Sequence, residues 1–101
     1  MKLILITSVK EFESNIKDLL IRSGVPSFSH SRVQGFRAGE SAASSENWFA
    51  SQGIESDSVM FTVFADNEML ETISGRIRRF NAKQEFQTRI HMAALAIEQV
   101  V

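Results

Sequence analysis

Ser31-Arg32-Val33-Gln34-Gly35-Phe36-Arg37-Ala38-Gly39 is the joint of the chain. It closes an extended stretch and opens a long polar loop. Residues 27–37 predict a strand with weak alternation. Phe28, His30, Arg32, Gln34 and Phe36 share one face, and Ser29, Ser31 and Val33 share the other. So polar a strand belongs at a sheet edge. Residues 38–54 are rich in Gly, Ser and Glu, broken by Trp48-Phe49. A structureless segment of that length inside a small domain points to a binding loop or to disorder.

Upstream, Leu3-Ile4-Leu5-Ile6 is too short for a helix and fits a strand buried on both faces. Ser8 with Glu11 three residues later predicts an N-cap and capping box. Phe12, Ile16, Leu19 and Leu20 then make a helical stripe, leaving Lys10, Glu13, Lys17 and Asp18 to water. Gly24 is placed to end that helix, and Pro26 forbids its continuation. Downstream, residues 57–65 restore strand character. Val59, Phe61 and Val63 lie on one side, and Met60, Thr62 and Phe64 on the other. Asp66 or Asn67 caps a second helix that buries Met69 or Leu70, Ile73, Ile77 and Phe80 and exposes Glu68, Glu71, Arg76 and Arg79, with Asn81 as its C-cap. A last strand is predicted over residues 85–97, including Phe86 and Ile90.

The order is β-α-β, loop, β-α-β, within one domain spanning 1–101. Two such halves give an α+β, ferredoxin-like βαββαβ sandwich: a four-stranded antiparallel sheet with two helices on one face. The first and third strands are apolar on both faces, yet helices cover only one. The other face would be a large exposed apolar patch, which implies a covering subunit.

The composition narrows the function. A net charge of −1 supplies no basic field for nucleic acid. The absence of cysteine removes disulfides and thiolate metal sites. No apolar run reaches the roughly 20 residues that span a bilayer. The N-terminal run reads as a strand and not as a signal peptide, so a cytoplasmic protein is expected.

The chain resembles the PII signalling family. The resemblance rests on the opening strand Met1-Lys2-Leu3-Ile4, on Ser23-Gly24-Val25 after the first helix, and on Val33-Gln34-Gly35-Phe36 before the long loop. It rests also on the closing Ala96-Ile97-Glu98-Gln99-Val100-Val101. It covers nearly the whole length in element order. It implies a non-enzymatic regulator, a homotrimer whose sheets face a shared centre, a T-loop-like segment at 38–54, and a small effector bound in the cleft between subunits. It also implies a target protein, with membrane transporters as one class, and no nucleic-acid partner.

The departures from the family pattern concern its ligand chemistry. Arg37-Ala38-Gly39 stands where typical members carry a Gln that helps hold ATP, magnesium and 2-oxoglutarate. There is no tyrosine in the chain to receive a nucleotidyl group. Phe80-Asn81-Ala82-Lys83-Gln84-Glu85-Phe86 replaces the glycine-rich loop whose amides cradle phosphates, and the R-x-R pair is missing. The resemblance therefore implies a divergent PII-like protein without the usual ATP and 2-oxoglutarate binding.

Three groups of residues carry candidate roles. Gly35, Phe36 and Arg37, at the base of the loop, are the effector candidates. Arg37 suits a bidentate hold on a phosphate or carboxylate. The plainer reading lets Gly35 bend the strand and Phe36 fill core. Trp48 and Phe49 are the partner-binding candidates, since aromatics on a polar loop suit insertion into a pocket; folding back on their own domain is the alternative. His30 and His91 are the chain's two histidines and, with a carboxylate such as Glu98, the metal candidates. They belong to strands at opposite sheet edges and could meet only across a subunit boundary. A divalent-metal-binding or metal-tolerance protein of CutA-like shape is the alternative function. Arg76, Arg78, Arg79 and Lys83 add a basic cluster, which a helix C-terminus favours without any ligand. No nucleophile–base arrangement is visible.

Overall fold

A computed structural model of the chain describes residues 1–36, 55–85 and 87–101. The elements run β1 (Lys2–Val9), a 3₁₀ turn (Lys10–Phe12), α1 (Glu13–Arg22), β2 (Ser29–Phe36), β3 (Glu55–Ala65), α2 (Asn67–Ala82) and β4 (His91–Ala96). The strands form one sheet in the order β2-β3-β1-β4, and every neighbouring pair is antiparallel. This is the ferredoxin-like βαββαβ architecture. The polar β2 is an edge strand, as its composition predicts.

Register assigns the two faces. Ile4 opposes Val63, and Ile6 opposes Phe61. These four, with Val59, are fully buried beneath the helices. Ile16, Leu19 and Leu20 from α1 and Ile73 and Ile77 from α2 complete this core. Phe12 and Phe80 close one end edge-to-face, with ring centroids 5.0 Å apart. The opposite face carries Leu3, Leu5, Met60, Phe64 and Leu95. Phe64 is 60% and Leu95 47% exposed, so nothing in the chain's described residues covers this side.

The stops are local and strong. Gly24 sits at φ +86°, its N–H donates to Ile21 and the N–H of Val25 donates to Leu20, forming the double bond of a Schellman C-cap. Asp66 caps α2 by accepting from the Met69 N–H at 2.8 Å.

Several sequence expectations change. Ser8 is not an N-cap. The pairing of β1 with β3 continues through Ser8↔Val59 to Val9↔Ser58, so Ser8 is a buried strand residue and α1 starts at Glu13. Cross-strand hydrogen bonding outcompetes the capping box. Glu13 is not left to water but paired with β2. Asn81 is not a C-cap either, because α2 runs on to Ala82 with Lys83 as its cap. The Asn81 amide instead donates to Ile90 O at 2.9 Å and accepts from Ile90 N at 2.8 Å, clamping the connection before β4. β4 therefore starts at His91, six residues later than periodicity suggests. Arg76 is half-buried and not exposed.

Candidate functional site at the base of the loop

β2 and β3 stay paired to the last described residues, Phe36 against Glu55. Segment 37–54 thus leaves from a two-stranded stem. On its helix side a polar ladder forms. The Gln34 amide donates to Asp57 Oδ1 at 2.8 Å, and Lys10 Nζ approaches Asp57 Oδ2 at 3.4 Å. Arg32 donates through both Nε and a terminal nitrogen to the two oxygens of Glu13, at 3.4 and 3.0 Å. His30 Nδ1 lies 3.5 Å from the same carboxylate, and its ring stacks on Phe61 at 5.1 Å.

These contacts fix the charge states. The hydrogen bond from Arg32 holds the Glu13 carboxyl below its ordinary range, and those from Gln34 and Lys10 do the same for Asp57. Both carboxylates are ionised acceptors already engaged by neighbours. Neither has the raised affinity for a proton that a general acid requires. On the far side of the sheet, Thr7 donates to Val59 O at 2.9 Å, and the Ser56 and Ser58 hydroxyls lie 3.4 Å apart.

Of the effector candidates, Gly35 is buried and opposite Ser56, whose hydroxyl donates to the Gly35 carbonyl at 3.5 Å. Phe36 does not fill core; it is 58% exposed at the rim of the stem. Arg37, Trp48 and Phe49, with the rest of segment 38–54, lie outside the described residues. His30 is on the helix side of one edge strand. His91, opposite Thr7, is on the open side of the other. One copy of the chain therefore cannot bring them together. Among the described residues no three His, Asp or Glu converge as metal ligands. Burial pushes the His91 imidazole below its ordinary value.

A second concave feature lies on the helix layer. Asn15, Asp18, Leu19 and Arg22 of α1 face Arg76, Arg79 and Phe80 of α2 and its C-cap Lys83 across a cavity of about 290 Å³. Three of its four cations, Arg76, Arg79 and Lys83, stand together in the sequence; Arg22 lies far from them along the chain. The signal was present as a spacing: 15, 18, 19, 22 and 76, 79, 80, 83 both follow i, i+3, i+4, i+7, which puts each set on one helical face.

No protein-family model and no curated protein matches the sequence. The fold, in contrast, matches solved structures of PII-like proteins. CPII, a nitrogen regulatory PII-like protein from Thiomonas intermedia K12 solved with ADP, AMP and bicarbonate, aligns at TM-score 0.63 and 13% identity over 99% of this chain and 94% of its own. A PII-like protein from Thermus thermophilus aligns at TM-score 0.60 and 14% identity, over 93% and 83%. A DUF3240 family protein from Shewanella baltica aligns at TM-score 0.69 and 13% identity, over 99% and 92%. The architecture of this chain is that of the PII-like proteins. Among the described residues no helix is long and apolar enough to cross a membrane.

Proposed function

We propose that the protein is a divergent PII-like regulator: a non-enzymatic homotrimer that binds a small effector between subunits and reads it out to a target protein through segment 38–54. The observation that carries this reading is the open sheet face. Leu3, Leu5, Met60, Phe64 and Leu95 form an apolar surface on the side opposite the helices. Packing the faces of three copies against one another would remove that surface from water. The clefts so created would place the stem of one copy, with Gly35, Phe36 and Arg37, beside a neighbour.

Arg37 is the residue expected to hold an anionic effector, and Trp48 and Phe49 are expected to enter a pocket on the target. A membrane transporter is one class of target that suits a small regulator of this kind. The ligands of CPII supply the first compounds to try, namely AMP, ADP and bicarbonate. The connection 80–86 holds no glycine, so tight, magnesium-dependent ATP binding through a glycine-rich cradle is not expected.

Three measurements test the reading. Light scattering coupled to size exclusion is expected to give three times the mass of one chain, and a clean monomer at micromolar concentration overturns the trimer. A thermal-shift panel of nucleotides, bicarbonate, carboxylates and divalent metals is expected to show stabilisation by one anionic class that Arg37→Gln abolishes. Replacing residues 40–52 by a short Gly-Ser link is expected to leave the oligomer intact and to end target binding. Stabilisation by metals alone would favour a metal-binding protein instead.

A further inference from the structure

The cavity between α1 and α2 is lined by residues of the two helices and the α2 C-cap, and by none from the stem or the open sheet face. Its walls hold Arg22, Arg76, Arg79 and Lys83 against the single carboxylate of Asp18. Among the described residues the ion pairs are Lys10–Asp57, His30–Glu13 and Arg32–Glu13, and none of them neutralises these four cations. Arg76 Nε is buried and has no hydrogen-bond partner.

Helix dipoles explain part of this arrangement. Arg22 and Arg79 lie in last turns and Lys83 is the C-cap of α2, where positive charge is favourable. They do not explain Arg76, which lies a turn further in and carries a buried donor without an acceptor, an unfavourable state for a guanidinium. Nor do they explain why cations from two helices line one cavity, since like charges brought together repel. An anion in the cavity offsets the repulsion and offers an acceptor to the part of the Arg76 guanidinium that lines it.

We propose that this cavity is an anion site for a small compound carrying two or more phosphate charges. Arg76 donates from the inner wall, Arg22, Arg79 and Lys83 donate from the rim, and Leu19 and Phe80 form an apolar wall. Four cations against one carboxylate call for several negative charges. Guanidinium forks match the oxygens of a phosphate. The feature is a shallow, open groove whose volume of about 290 Å³ suits the phosphate end of a small molecule. The site is separate from the effector cleft proposed above, so either can fail alone.

The test is calorimetry, with amide-shift mapping, of inorganic pyrophosphate, phosphate and citrate on the full chain in low salt. Pyrophosphate is expected to bind saturably and more tightly than phosphate or citrate, shifting amides of α1 and α2. Arg76→Gln is expected to weaken it about tenfold, the loss of a charge-assisted hydrogen bond. Arg79→Gln and Lys83→Gln, at exposed positions, are expected to weaken it by roughly threefold each and carry the test should Arg76→Gln not fold. Asp18→Asn is expected to tighten it, and Arg37→Gln to leave it unchanged. No saturable binding up to about 10 mM overturns the site. So does binding that Arg37→Gln abolishes and the helix variants leave alone, which would place the anion at the stem. Citrate binding more tightly than pyrophosphate overturns the assignment to phosphate.

Discussion

β3 shows two solutions to the same problem on one strand. Phe61 and Phe64 are three residues apart and equally apolar. Phe61 is fully buried under the helices, while Phe64 is 60% exposed on the other side of the sheet. The first stabilises this chain. The second stabilises it only if another surface arrives. What separates them is the period of two along a strand, set against helices that cover one face.

The largest effect is expected at the covered face. Phe61→Ala leaves a cavity beneath both helices and is expected to remove about 3–5 kcal/mol of unfolding free energy, read from urea titration. A loss below about 1 kcal/mol would mean that the covered face is not the main core.

Asn81 is expected to come next. Its amide satisfies both backbone groups of Ile90, a buried residue that seats β4 against the helix layer. Asn81→Ala orphans the two and is expected to cost about 1–3 kcal/mol, with hydrogen exchange accelerating first in β4.

Phe64→Glu sharpens the comparison from the other side. It is expected to change the stability of the isolated chain by less than about 1 kcal/mol while shifting the assembly to monomer. An unchanged mass by light scattering would show that the open face is not the contact between copies.

The smallest effects are expected from titration, and they separate the faces by pH. On the open side, burial lowers the His91 pKa, so the neutral form is favoured by folding. Its contribution is present above the ordinary value of 6.5 and is lost as pH falls through the lower folded value. His91→Gln is expected to flatten that part of the stability–pH curve. On the helix side, the hydrogen bond from Arg32 lowers the Glu13 pKa. Its contribution is therefore present above the ordinary 4.5 and is lost as acidification passes the folded value. Arg32→Gln is expected to remove only that lower step. Thermal melts from pH 8 to pH 3 read both windows, and a step that survives its own substitution would refute the assignment.

Much of the fold was legible in residues close together in the chain. Gly24 and Pro26 stop α1, Asp66 starts α2, and the two-sided apolar pattern of β1 and β3 makes them central strands. The polarity of β2 sends it to an edge. Each is a local preference, or a period, acting within a few residues. The family likeness likewise rested on element order and short motifs, and the fold agrees with it.

Tertiary structure decided wherever two local preferences competed or a distant partner was needed. Ser8 and Glu11 form a good capping box on paper, but pairing with Val59 and Ser58, far along the chain, carries β1 through Val9 and starts the helix late. Asn81 reads as a cap until Ile90 presents a backbone amide and carbonyl to it. Glu13 reads as solvent-facing until β2 brings Arg32 and His30 alongside. Arg76 reads as one charge of a basic cluster on α2, and nothing local singles out Arg22, until two helices pack and bring both to one cavity. Local propensity sets which element forms. Which side chain meets which is settled by long-range pairing, and the candidate sites are made of such meetings.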